Sequence, residues 1–381
     1  MRTKIVLSKA ALIHNIKTIR RHVGPDKKII GVIKAQAYGH GVTHIAPLLE
    51  KHIDVFAVDD VQELVELRAL TSKDIYVLGH VCYEDIEECI KKSGVMVVYD
   101  KKTIEMVEEI ARKLKTIAHI NIKIDALLGR QGVLIDDLPK LLHTLKKSTH
   151  IRFRGMYAHF ANSESEPDFS HSQRQIDILH SAIQMAKQEG FKELETHISS
   201  TAGSLLFQNS NIPFTHVRVG IGLYGLWPSE RVKMAAPREM ELKPVLSWLS
   251  CVAQIKKVPA GFPIGYEGTF VTKKPTTIAV IPVGYSDGYD RGLSNNGEVL
   301  INGKNCAILG RIAMNMFVVD VSDVGDVGID DEVVLIGTQG SEKISADAIA
   351  ERIDTISYEI VSRISPLLHR TVIEDKENGF L

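Results

Sequence analysis

Ile29-Ile30-Gly31-Val32-Ile33-Lys34, followed at once by Ala35-Gln36-Ala37-Tyr38-Gly39-His40-Gly41, is the stretch on which the reading of this chain turns. An apolar run without polar alternation describes a strand buried on both faces, the habit of parallel sheets. At its end stands a lysine beside a glycine-containing loop. A strand-end lysine usually snorkels to the rim and does nothing more. Held away from water, the same residue becomes a nucleophilic amine that can form a Schiff base or move a proton.

Outward from this run, short β-branched stretches recur at 55–58, 75–79, 95–99, 120–125, 153–160, 196–200 and 217–221, eight in all with 29–34. Amphipathic helical patterns lie between them, for example at 61–70, 83–92, 101–115 and 173–188, and Ser8 is placed to cap a first helix carrying Ala11, Leu12, Ile16 and Ile19. Eight β/α units in about 200 residues favour a closed (β/α)8 barrel of the TIM type over an open doubly wound sheet. After Pro228 the pattern changes. Residues 231–239 read as a connector, and β-rich stretches follow at 245–258, 277–283, 298–301, 307–309, 316–321 and 332–336. Asn296-Gly297 and Asn302-Gly303 are tight-turn dipeptides, and one late helix is expected over 346–353. The expected fold is therefore α/β: a barrel over 1–235, then a smaller, mainly antiparallel β domain over 236–381.

A net charge of −1 over 381 residues leaves no electrostatic footprint for nucleic acid or an anionic membrane. No apolar run reaches the ~18 residues that span a bilayer, and the N-terminal residues lack the apolar core of a signal peptide. Cys82, Cys89, Cys251 and Cys306 form no CxxC pair, and the histidines show no ligand spacing. Reduced thiols, a cytoplasmic location and no metal site are expected.

Barrel enzymes carry their chemistry at the C-terminal ends of the strands. Those ends hold Lys34, Asp125 with Arg130, His159, Ser200-Thr201, and Arg218 followed by Gly220-Ile221-Gly222. The last two groups fall after strands seven and eight of the eight, where barrels bind phosphate, and hydroxyls with glycine-rich amides suit an anion. Singly, each has an ordinary explanation as a turn residue or a core histidine. Together, a lysine, an anion cradle and an arginine on one rim resemble a pyridoxal-phosphate site.

Several motifs extend that likeness: Val32-Ile33-Lys34-Ala35-Gln36-Ala37-Tyr38-Gly39-His40-Gly41, Lys123-Ile124-Asp125 with Gly129-Arg130, Arg218-Val219-Gly220-Ile221-Gly222-Leu223-Tyr224-Gly225, Gly265-Tyr266, Ile281-Pro282-Val283-Gly284-Tyr285-Ser286-Asp287-Gly288, Gly310-Arg311-Ile312-Ala313-Met314, and Thr355-Ile356-Ser357-Tyr358-Glu359. In this order the chain resembles the alanine racemases, barrel-fold amino-acid racemases of bacteria, over nearly its whole length. The resemblance implies pyridoxal 5'-phosphate as cofactor, carried by Lys34, which also serves as one catalytic base. It implies phosphate contacts from Tyr38, Thr201, Gly220, Ile221 and Tyr358, with Ser200 beside them. Arg218 would face the pyridine nitrogen with His197 behind it, and His159 would lie beside the ring. Arg130 would sit near the phenolic oxygen and the substrate, held by Lys123, a position often carbamylated. Tyr266 would be the second base, Met314 a backbone contact for the substrate carboxylate, and Arg291 a residue of the entrance. A homodimer is implied as well, Tyr266 reaching the site of a partner subunit, with D-alanine supplied for peptidoglycan.

The residue types suit that chemistry. Racemisation removes a proton from one face of Cα and returns one to the other, which two opposed bases accomplish. Arginine keeps its proton, so opposite the pyridine nitrogen it leaves the ring a weaker electron sink than an aspartate would, and favours return of the proton over transamination.

The chain departs from the family pattern in places. Ala126-Leu127-Leu128 stands for the usual Thr-Gly-Met, which removes a glycine and with it easy access to positive φ. Ser200 replaces an asparagine, Glu267 a common glycine, and Ala313 and Asn315 stand where cysteine and aspartate are frequent. The last two changes enlarge or soften the substrate end of the pocket. They leave open a broader racemase acting on serine or lysine, and a non-catalytic pyridoxal-phosphate-binding protein stands as a more distant alternative.

Overall fold

The first described strand, β1 (Lys4–Ser8), leads into a helix, Lys9–Val23, whose start is capped by Ser8: its Oγ accepts from Ala11 N at 3.0 Å. The structure is a computed structural model and describes residues 3–163, 169–207 and 214–374. Eight parallel strands follow where the apolar runs predict them: β2 (Lys28–Val32), β3 (Val55–Val58), β4 (Ile75–Val77), β5 (Gly94–Val98), β6 (Ala118–Lys123), β7 (Ile151–Tyr157), β8 (Glu195–His197) and β9 (His216–Val219). They pair in the order β8-β7-β6-β5-β4-β3-β2-β9, and Arg218 N donates to Ser199 O at 3.2 Å across the remaining gap. The sheet is therefore a nearly closed barrel, with helices after most of its strands. Every residue of β3 and β5 is buried, which explains their unbroken apolar runs.

The remaining strands are β10 (Leu246–Cys251), β11 (Gln254–Val258), β12 (Pro263–Ile264), β13 (Phe270–Val271), β14 (Thr276–Ile281), β15 (Glu298–Ile301), β16 (Lys304–Leu309), β17 (Phe317–Asp320), β18 (Glu332–Gln339), β19 (Glu342–Ile344) and β20 (His369–Ile373). The larger sheet runs β11-β14-β17-β16-β15-β18-β10-β1-β20, antiparallel except for β1 beside β20. Asn302 and Gly303, at φ 50° and 73°, close the two-residue β15–β16 hairpin expected of that dipeptide.

The chain divides into two compact units, one of Ile13–Ala35 and Ile45–Lys243, the other of Met1–Leu12, Gln36–His44 and Pro244–Leu381. This differs from a division at 235/236. β1, expected within the barrel domain, belongs to the β-rich unit because its buried Ile5 and Leu7 find partners in β10 and β20, far off in sequence. Two short helices were also not expected: Glu230–Ala235, capped by Ser229 within the connector, and Ser357–Ser362. Among the described residues no helix is long and apolar enough to cross a membrane.

Candidate active site

In the barrel unit, Lys34 follows β2, and its Nζ lies 2.8 Å from Asp59 Oδ1 at the end of β3. Glu63 ties the two segments together. Its carboxylate accepts from Ala35 N at 2.6 Å and from Asp59 N at 2.7 Å. The Lys34 side chain is 41% exposed and ion-paired, so the desolvation expected from its strand-end position is not met.

Across the rim, Arg218 in β9 is buried, and its guanidinium is within hydrogen-bond distance of Ala158 O (2.9 Å), Ile198 O (2.9 Å), His159 Nδ1 (2.8 Å) and His197 Nδ1. A guanidinium only donates, so both imidazoles accept at Nδ1 and carry their proton on Nε2. Burial first, and then the Arg218 charge, hold both histidines well below the ordinary histidine range, and both are neutral. His197 is further fixed by stacking on Tyr157, with centroids 4.6 Å apart.

Lys123, at the end of β6, is buried with its Nζ 2.9 Å from Gln131 Oε1. Burial, and then the charges of Arg130, Arg218 and Lys34, bring its ammonium down from 10.5 to about 8. The Asp125 carboxylate accepts from the amides of Leu128, Gly129 and Arg130 at 2.9–3.1 Å and shapes the loop bearing Arg130. Leu127 adopts φ 63° there, so the left-handed turn survives without the glycine whose loss was expected to deny it.

Thr201 is buried, and its Oγ1 accepts from Gly220 N at 3.1 Å and Gly222 N at 3.4 Å. A Cβ at Gly222 would lie 2.7 Å from Thr201 Cγ2, so this approach requires glycine. With both lone pairs used, the hydroxyl proton is left to donate, as an anion requires. Ser200 precedes it and makes no side-chain capping bond. Ile221 opens the short 3₁₀ turn Ile221–Tyr224.

The β-rich unit holds the other expected residues. Tyr38 and Tyr358 lie with ring centroids 6.2 Å apart. Ala35, Gln36, Ala37 and Tyr38 all have φ between 51° and 54°, one turn of left-handed helix directly after Lys34. Tyr266 sits on the turn between β12 and β13, between Gly265 (φ 70°) and Glu267 (φ 62°), and is 70% exposed. Glu267 Oε2 pairs with Arg311 Nη2 at 3.1 Å. Arg291, itself exposed, begins the 3₁₀ turn Arg291–Leu293, and Met314 is 54% exposed. The barrel unit thus gathers Lys34, Lys123, Arg130, His159, His197, Thr201 and Arg218, and the β-rich unit pairs Tyr38 with Tyr358. Asp59, Glu63 and Gln131 were not anticipated. For Asp59 the signal was available, a carboxylate at the end of a barrel strand.

A parallel barrel with an amine, a buried hydroxyl between glycine amides and a fixed guanidinium at its strand ends, joined in one chain to a β-rich unit, is the build of the barrel-type amino-acid racemases. The chain belongs to the alanine racemase family: residues 7–228 match the alanine racemase N-terminal domain and residues 245–372 the C-terminal domain. It is 38% identical to alanine racemase 1 of Caldanaerobacter subterraneus subsp. tengcongensis, over 98% of this chain and 95% of that protein. The alanine racemase of Clostridium difficile 630 superposes with a TM-score of 0.92 at 32% identity, covering 99% and 97% of the two chains. That of Bartonella henselae, solved with covalently bound pyridoxal phosphate, gives 0.84 at 27% identity over 98% and 100%. The fold and the class of enzyme, an isomerase, are those the sequence led to.

Proposed function

We propose that this enzyme interconverts L- and D-alanine with pyridoxal 5'-phosphate, using Lys34 and Tyr266 as bases on opposite faces of the substrate, and that it supplies D-alanine for peptidoglycan. The observation that carries the reading is Arg218, buried and held by two carbonyls and two neutral histidines, a permanent cation with no proton to give up. The residues present fit the cofactor: a primary amine at Lys34, and at Thr201 a hydroxyl that accepts from two backbone amides and keeps its own proton to donate. When bound, the cofactor supplies an electron sink that acidifies the proton on Cα.

In this proposal Lys34 binds the cofactor through its amine and moves the proton on one face, while Tyr266 moves it on the other. Ser200, Thr201, Gly220, Ile221, Tyr38 and Tyr358 bind the phosphate. Arg218 would hold the ring nitrogen without protonating it, and His159 would lie beside the ring. Arg130, supported by Lys123, orients the phenolic oxygen and the substrate, whose carboxylate the Met314 N–H receives. Arg291 lines the entrance. The exposure of Tyr266 and Met314 supports a homodimer in which each copy's Tyr266 completes the other's site.

The test is solvent-deuterium incorporation at Cα of L-alanine by the wild type, Lys34→Ala and Tyr266→Phe. Loss of roughly 10²–10⁴-fold is expected in each variant, and undiminished exchange in Lys34→Ala overturns the mechanism. Turnover of L-serine or L-lysine equal to that of L-alanine would replace the narrow substrate assignment with the broader one.

A further inference from the structure

The segment carrying Met314 is held by a directional chain of hydrogen bonds. Met314 O accepts from Ser286 N at 3.0 Å and from Ser286 Oγ at 2.8 Å, and Ser286 Oγ lies 2.8 Å from Asn315 Nδ2. Tyr285 N donates to Ala313 O at 3.2 Å, and Ala313 N donates to Met316 O at 2.9 Å, closing the 313–316 turn. The two segments can approach this closely only because residue 284 is glycine: a Cβ there would lie 2.2 Å from Met314 O.

The direction of each bond follows from the donor inventory. A carbonyl only accepts, so the single proton of the Ser286 hydroxyl goes to Met314 O. The contact from residue 315 must then be a donor, which an asparagine amide supplies and a carboxylate cannot. We propose that Asn315 is a positioning residue: through Ser286 it anchors the Met314 carbonyl and so presents the Met314 N–H to the substrate carboxylate. The inference rests on the proposed role of Met314. An aspartate at 315, frequent in the family, would compete for the Ser286 proton in this chain and set a negative charge beside a carboxylate-binding amide. Both effects weaken substrate binding.

The holoenzyme, with Asn315→Ala, Asn315→Asp, Ser286→Ala and the double variant Ser286→Ala/Asn315→Ala, provides the test, read as KM and kcat for L- and D-alanine and as the inhibition constant of propionate, which is alanine without its amine. Asn315→Asp is expected to raise KM and the propionate constant about tenfold, the worth of one lost hydrogen bond, with kcat falling less than KM rises. Asn315→Ala is expected to raise both less than Asn315→Asp does, and to add nothing further in the Ser286→Ala background, because the two residues act in series. Additive effects, or a KM in Asn315→Asp at or below that of the wild type, would overturn the proposal. A wild type that fails to racemise alanine refutes the underlying assignment instead. Wild-type racemisation with unmoved KM values in all variants refutes this inference alone.

Discussion

Leu127 adopts a backbone conformation that glycine would take at lower cost, and the reason lies next to it. Three amides of the following residues are held by the Asp125 carboxylate, so the loop's path is determined whatever stands at 127. A left-handed φ costs an L-residue roughly 1–2 kcal/mol, and glycine's greater freedom in the unfolded chain returns about 0.5–1 kcal/mol of that. Leu127 is about half exposed, so truncation forfeits little burial. Leu127→Gly should therefore stabilise the protein by about 0.5–1 kcal/mol, seen as a higher urea midpoint at unchanged slope. A lower midpoint would show the leucine to be held by packing. Glu267→Gly gains the same backbone relief but loses the exposed Arg311 pair, worth about 0–1 kcal/mol, and should be close to neutral. Lys123 gives a pH-dependent case. Its ammonium is depressed to about 8 in the fold against 10.5 ordinarily, so between those values the unfolded chain binds more protons and stability rises with pH. The penalty is present in full below about pH 8 and is relieved towards pH 10.5, on the order of 3 kcal/mol. Lys123→Met should lack this rise when urea midpoints of the two proteins are compared from pH 7.5 to 10. A parallel rise in the variant would assign it to other groups.

Between β2 and the helix Val42–Leu49 the chain makes its left-handed turn, and here the usual rules for substitutions invert. Ala→Gly in a right-handed helix costs about 1 kcal/mol; at exposed Ala35, with φ 51°, Ala35→Gly should instead be neutral or stabilising. The turn is locked by Gly41 N to Gln36 O at 2.7 Å and by the Arg370 guanidinium, which reaches Gly39 O at 2.8 Å. A Cβ at Gly39 would fall 1.8 Å from Val361 O. Gly39→Ala should thus cost roughly 3 kcal/mol or more in urea unfolding, and a milder loss would mean that the Val361 segment can yield. The barrel strands were legible because continuous β-branched runs have few other uses, and Lys34, Thr201 and Arg218 because strand ends are where barrels place chemistry. The left-handed turn was not, since Ala-Gln-Ala-Tyr favours an ordinary helix and the residue that reaches across to hold it lies at position 370. Glu63 and Gln131 were missed because a single polar residue on a helix or loop reads as a solvated face. The place of β1 in the β-rich unit was not legible because its partners, β10 and β20, lie far along the chain.

At the scale of the whole molecule, the proposal makes one demand that no single residue tests. If each active site joins Lys34 of one copy to Tyr266 of its partner, two inactive variants can repair each other. A hybrid of Lys34→Ala and Tyr266→Phe subunits carries one site with both defects and one with neither, because a two-fold dimer places the same pair of surfaces at both sites. Random reassortment makes half the dimers hybrid, each with one good site of two, so the equimolar mixture should recover about a quarter of wild-type activity. Exposure of Tyr266 on the β-rich unit is what such an arrangement requires, since a base that serves another copy cannot be buried within its own unit. The measurement is racemase activity after the two purified variants are mixed, dissociated and reassembled, against each variant treated alone. Activity no greater than the parents' would mean that Lys34 and Tyr266 of one copy serve the same site, and the shared-site dimer would have to be abandoned while the two-base chemistry stood.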